Sequence, residues 1–70
     1  GIEILSTPVA EASPAAGRTL AETKWPAGTG IIAIQHGNQA SVPGADDRVE
    51  AGDTVVAIVS PEAKKGFLAL

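Results

Sequence analysis

The segment from Thr29 to Pro43 constrains the fold of this chain more than any other, because its pattern is typical of a β-hairpin. Residues 31–36 are rich in β-branched side chains, and Gly37-Asn38 supplies a two-residue turn with glycine first, as a type II′ turn requires. The returning strand is predicted from Gln39 to Val42. This turn fixes the expected cross-strand pairs, which are His36 with Gln39, Gln35 with Ala40, Ile34 with Ser41 and Ala33 with Val42.

The length of 70 residues predicts one domain, which buries only about 60% of its unfolded surface on folding. An additional source of stability is therefore expected, and the absence of cysteine leaves oligomerisation as the common one. The net charge of -3 argues against nucleic-acid binding, and no apolar run reaches the ~20 residues of a membrane span. Because the chain contains no methionine, we expect it to be part of a longer protein.

The remaining elements are predicted on both sides of the hairpin. A short strand over residues 2–5 comes first, and a helix capped by Ser13 then runs to Lys24. After the hairpin, Thr54 to Val59 is apolar on both faces, as in a central strand. Ser60 is predicted to cap a second helix, whose apolar stripe consists of Ala63, Phe67 and Leu70. This order, β-α-β-β-β-α, predicts an α+β fold with a four-stranded, mostly antiparallel sheet and two short helices on one face.

Packing predictions follow from that architecture. The core beneath the helices should contain Trp25, Leu20, Val56 and Ile58. Trp25 is the largest hydrophobic residue, so its replacement by alanine is expected to cost ~3–5 kcal/mol. Since two short helices cover only one face of the sheet, the apolar residues on the other face predict a homodimer.

Three motifs, in this order, carry a resemblance to a known family. They are Gly17-Arg-Thr-Leu-Ala-Glu22, Pro26-Ala-Gly28 leading into Ile31-Ile-Ala-Ile34, and Glu50-Ala-Gly-Asp-Thr-Val55. Nearly the whole chain resembles the TrkA-C domain, also called the RCK C-terminal domain. The resemblance implies a cytoplasmic, dimer-forming, non-enzymatic regulatory module at the inner face of the membrane, attached to a channel or transporter for a cation, expected to be potassium. It also implies a small regulatory ligand, such as a nucleotide or cyclic dinucleotide, and no resident cofactor.

Several residues could carry chemistry. Four carboxylates, those of Asp46, Asp47, Glu50 and Asp53, lie in one segment and would suit a hard cation, although turn formation accounts for them better. His36 is the only histidine, and no spacing indicates a carboxylate that would orient it as a general base. Gly28-x-Gly30-x-x-Ala33 matches a dinucleotide fingerprint, but it precedes a strand where the motif must open a helix. We therefore predict no metal site, no dinucleotide cofactor and no enzyme.

A ligand is expected at the dimer seam, because one subunit of this size should have little room for a pocket of ~300 Å³ or more. The candidate contacts are Gln35, His36, Asn38 and Arg48. Among these, Arg48 is the only permanent cation and is the natural contact for phosphate. Two alternatives stay open: an assembly module without a ligand, and a biotinyl or lipoyl carrier domain suggested by Val49 to Val55. The carrier hypothesis is the weaker, because Lys64 and Lys65 follow a helix start rather than a hairpin tip.

Overall fold

A computed structural model describes residues 1–70 as six strands and one helix. The elements are β1 (Glu3–Pro8), β2 (Arg18–Thr19), β3 (Thr29–His36), β4 (Gln39–Ser41), β5 (Arg48–Val49), β6 (Thr54–Val59) and α1 (Lys64–Leu68). Four strands form an antiparallel sheet in the order β1-β6-β3-β4, and β2 pairs with β5 in a separate two-stranded ribbon. The chain contains no helix of the length and apolarity that crossing a membrane requires.

The β3–β4 hairpin has the predicted turn and register. Gly37 has a φ of 60° while Asn38 keeps a negative φ, as a type II′ turn requires. Three predicted pairs form, those of His36 with Gln39, Gln35 with Ala40 and Ile34 with Ser41. The fourth prediction, Ala33 with Val42, is wrong because β4 ends at Ser41, just before the chain approaches Pro43. Proline cannot donate to a strand ladder, so the hairpin stops there.

Strand β6 is central, as predicted, but the expected core residues on it are wrong. Val55, Ala57 and Val59 are fully buried, whereas Val56 is half-buried and Ile58 is 43% exposed. Successive side chains of a strand point to opposite faces, so only one of these sets can enter the core. The exposed side of the sheet, which carries Ile4, Val56 and Ile58, is called the outer face below.

A β-bulge in β3 decides which face its isoleucines take. The register of β3 against β6 shifts between Ile31 and Ala33, so that Ile31 lies opposite Ala57 and Ile34 lies opposite Val55. Both partners belong to the core, and Ile34 is itself buried. The extra residue of a bulge lets two positions three apart share one face. His36, two residues beyond Ile34, therefore extends from the core side of the hairpin.

The first predicted helix, Ser13 to Lys24, is wrong. Turns occupy most of this segment, and Gly17 has a φ of 77°, which a right-handed helix does not allow. The N–H of Gly17 donates to the carbonyl of Val49 at 2.7 Å, and β2 pairs with β5 immediately afterwards. Ser13 forms a local turn, in which its Oγ accepts the N–H of Ala15 at 3.1 Å. Ser13 therefore opens a turn instead of capping a helix.

The final helix is shorter than predicted. It begins at Lys64 with Ala63 at the N-cap position, and no side chain caps it, so the expected capping by Ser60 is wrong. The apolar stripe is right: Ala63 and Phe67 are buried against the sheet and Leu70 is half-buried beside them. One short helix and the loops on either side of β2 cover the core, since Val9 and Ala15 are buried and Leu20 and Trp25 pack partly against it.

Candidate functional site

An open crevice of about 710 Å³ lies between the β3–β4 hairpin and the connection that leads through β5 to β6. Ile34 and Ala40 are the only hydrophobic residues in its lining, and the other side chains are mostly polar or charged. These include His36, Asn38, Gln39, Asp47, Arg48, Glu50 and Asp53. The crevice contradicts the expectation that one subunit has little room for a ligand, because it exceeds the ~300 Å³ of a small-molecule site.

His36 and Asp53 form the central polar contact of this crevice. The Nδ1 atom of His36 lies 2.5 Å from Oδ1 of Asp53. The side chain of His36 is 79% exposed, whereas that of Asp53 is 4% exposed. The second carboxylate oxygen of Asp53, Oδ2, accepts the backbone N–H of Glu50 at 2.9 Å. A buried carboxylate thus holds the turn before β6 with one oxygen and an exposed imidazole with the other.

This contact shifts the protonation of both partners. The hydrogen bond that His36 donates to Asp53, and then the negative charge of Asp53, raise the pKa of His36 above its ordinary value. Burial raises the pKa of the Asp53 carboxyl. The hydrogen bond from the N–H of Glu50, together with the hydrogen bond and charge of His36, lowers that pKa by more, so the net shift is downward. An imidazolium beside a carboxylate is therefore the favoured pair over a wider pH range than for isolated groups.

Arg48 supplies the permanent cation of the crevice. Its Nη1 atom donates to the carbonyl of Gly17 at 2.8 Å and lies 3.9 Å from Oε1 of Glu22. Both charged side chains are more than half exposed, so this ion pair adds little stability. A guanidinium has five N–H donors in a fixed plane, which leaves other donors of Arg48 for a ligand.

Three of the four predicted ligand contacts lie together in the crevice. They are His36, Asn38 and Arg48. Gln35 does not line it, because it follows the buried Ile34 and takes the opposite face of β3. The Nε2 atom of Gln35 donates instead to the carbonyl of Gly37, at 3.4 Å.

The four carboxylates of the metal hypothesis do not converge. No group of three or more potential metal ligands lies close enough to hold an ion. Asp47 accepts the N–H of Gly44 at 2.7 Å, which is turn chemistry, and Asp53 is committed to His36 and Glu50. Asp46 does not line the crevice.

Sequence reasoning missed Asp53 as the partner of His36. The two residues are 17 positions apart, and local spacing in the sequence does not connect them. The strand register contains the signal, since Gln35 lies opposite Thr54 in the antiparallel β3–β6 pair. The residue after Gln35 and the residue before Thr54 must then be neighbours at the end of that ladder.

Comparisons with known proteins agree with the fold. The TrkA-C domain family model matches residues 4–69. Among solved structures, the chain is similar to the RCK_C domain dimer of S. agalactiae BusR in complex with c-di-AMP, with 25% sequence identity and a TM-score of 0.76. That match covers 94% of this chain and 95% of the other. No curated protein matches the sequence.

Proposed function

From the premise that this chain belongs to the TrkA-C domain family, we propose that it is a dimer-forming sensor of a phosphate-bearing ligand. The family is regulatory rather than catalytic. The observation that carries the proposal is the crevice, in which a permanent cation, a histidine and an amide lie around a volume large enough for a nucleotide. The RCK_C domain dimer of BusR was solved with c-di-AMP, which makes cyclic di-AMP the first ligand to test.

The proposed setting is a cation transport system, with potassium as the expected ion. In that setting the domain would lie in the cytoplasm, attached to a channel or transporter, and would change the state of that partner when its ligand binds. The dimer would pass the effect of ligand binding to the channel or transporter, because a ligand bound between two copies changes how the two copies are arranged.

The seam of this dimer is proposed at the β4 edge. All three residues of β4 are exposed, and a sheet edge offers unpaired backbone groups to a second copy. Val42, directly after β4, is 84% exposed, and the crevice opens beside the same strand. A two-fold axis here would bring two crevices together and double each polar contact to a symmetric ligand.

Replacing Val42 by aspartate is therefore expected to raise the dissociation constant of the dimer by at least about tenfold, because two like charges would meet across the axis. Sedimentation equilibrium at tens of micromolar, the scale of weak dimers, measures this. Ile4→Asp is the matched control: Ile4 is also an exposed hydrophobic residue near an edge of the sheet, but it lies on β1 at the far side. Dissociation by Ile4→Asp and not by Val42→Asp would place the seam on the outer face.

Ligand binding is tested by thermal melting with cyclic di-AMP. A ligand present at a hundred times its Kd stabilises the native state by about 2.7 kcal/mol, which corresponds to roughly 10–20 °C in Tm for a domain of this size. Arg48→Ala and His36→Ala are each expected to reduce this shift. Arg18→Ala is the control, because it also removes one positive charge but lies outside the crevice.

A Tm shift that survives both crevice substitutions would contradict the proposed site. The absence of a shift with cyclic di-AMP, with other nucleotides and with cations would favour the alternative of an assembly module without a ligand. The carrier-domain alternative has no structural support, since Gly37-Asn38 occupies the hairpin tip and Lys64 lies in α1, where its Nζ is 3.1 Å from Oε1 of Glu3.

A further inference from the structure

The contact between His36 and Asp53 restricts what the imidazole can offer to a ligand. An ionised carboxylate only accepts hydrogen bonds, so His36 must carry a proton on Nδ1 to make the 2.5 Å contact. In the neutral imidazole, the other nitrogen then has a lone pair and no proton. Phosphate oxygens are also acceptors at neutral pH. Neutral His36 therefore cannot donate to phosphate, whereas the imidazolium donates through Nε2–H.

The charges around His36 make phosphate binding depend still more on whether the imidazole is protonated. Asp53 and Glu50 belong to the turn before β6, Asp47 belongs to the connection before β5, and Arg48 lies on β5. The β3 and β4 strands contribute no other charged side chain to the crevice. With neutral His36, three carboxylates oppose one guanidinium, and an anion is repelled. Protonation of His36 adds a second positive charge to the crevice and reduces this excess of negative charge.

We propose that Asp53 makes phosphate binding in this crevice depend on a proton carried by His36, so that a phosphate-bearing ligand binds more tightly as the solution becomes more acidic. The inference rests on the proposed function, and it assigns that site a sensitivity to pH. Asp53 is a positioning residue here, because its hydrogen bonds are to His36 and to the N–H of Glu50, and it orients the imidazole that contacts the ligand. The raised pKa of His36 extends the binding-competent form towards neutral pH.

The dependence has a defined size. When ligand binding is coupled to uptake of one proton by His36, the Kd of the ligand rises by up to about tenfold per pH unit at pH values above the pKa of His36 in the ligand-free protein. Isothermal titration of cyclic di-AMP into the chain between about pH 5.5 and 8.5, the range in which histidine titrates, gives this slope. Repeating the titration in buffers of different ionisation enthalpy counts the protons directly.

Two variants separate this mechanism from a structural role. His36→Gln keeps an amide donor at every pH, so its Kd is expected to be nearly independent of pH. Asp53→Asn is expected to weaken the pH dependence, because an amide can donate to Nδ1 and leave the proton of the neutral imidazole on Nε2, where it can donate to phosphate, and circular dichroism checks that this variant folds. Gln39→Ala is the control: Gln39 lies opposite His36 and lines the crevice but does not titrate, so the pH slope should persist.

Each outcome decides the question. A Kd that rises with pH in the natural chain and is flat in His36→Gln supports the dependence on the His36 proton, even if Asp53→Asn does not fold, and a weaker slope in folded Asp53→Asn assigns that dependence to Asp53. Binding that is independent of pH in the natural chain, or a slope that persists in His36→Gln, overturns it while leaving the proposed function intact. If cyclic di-AMP does not bind at any pH, the assignment of this ligand fails, and the inference that rests on it fails as well.

Discussion

Replacing Phe67 by alanine is expected to lower the free energy of unfolding by about 3–5 kcal/mol, the range measured for truncation of fully buried aromatic residues. Phe67 has no solvent exposure and is the largest fully buried side chain of the chain. It extends from a helix of only five residues onto the sheet, so nothing else on α1 can fill the space. A domain of this length has a total stability of roughly 4–10 kcal/mol, and the substitution removes much of it.

Urea denaturation of the natural chain and the variant gives the difference directly. Leu68→Ala is the matched control, because Leu68 is the next residue on the same helix but is 46% exposed. It should cost about 1 kcal/mol or less, in line with partly exposed positions. Equal losses in the two variants would show that α1 does not dock as described. Trp25→Ala is expected to lie between them, which corrects the sequence-based expectation that Trp25 anchors the core, since it is only half-buried.

Turn chemistry and register could be predicted from the sequence because both are local. Gly37-Asn38 determines a two-residue loop, and that loop alone fixes which residues of β3 and β4 face each other. The central position of β6 could also be predicted from the sequence, because the strand carries apolar residues on both of its faces. Which of its faces enters the core could not be predicted, because Val55 and Val56 are equally apolar and only the packing of α1 and of the loops around β2 distinguishes them.

The misplaced first helix has a different cause. The signals at Ser13 and Pro14 open a turn as readily as a helix, and the outcome depends on Gly17, whose N–H pairs with Val49 more than thirty residues later. A similar limit applies to the site. His36 and Arg48 could be selected as candidates from their chemistry, but the carboxylate that governs His36 comes from the turn before β6, and long-range pairing alone brings it there.

The second large loss of stability is expected from a substitution at Gly28, which packs closely against Ser60. Gly28 has a φ of 93°, and its carbonyl accepts the N–H of Ser60 at 2.9 Å. A Cβ added to Gly28 would lie 2.2 Å from Oγ and 3.1 Å from Cβ of Ser60. This contact joins the start of β3 to the segment that leads into α1. A side chain at this position would therefore be strained by the backbone angle and crowded by Ser60.

Gly28→Ala is expected to cost about 2–5 kcal/mol, the sum of roughly 1–2 for the left-handed backbone and 1–3 for overpacking. Gly52→Ala isolates the first contribution, because Gly52 has a φ of 92° and no atom within 4 Å of an added Cβ. Thermal or urea unfolding of both variants gives the contribution of the contact as their difference. Adding Ser60→Gly to Gly28→Ala removes both close atoms, so a double-mutant cycle should show a favourable coupling between the two changes. Equal losses of unfolding free energy for Gly28→Ala and Gly52→Ala, with no coupling energy between Gly28 and Ser60, would contradict this prediction. They would mean that Ser60 moves aside and that the start of β3 is not rigidly joined to α1.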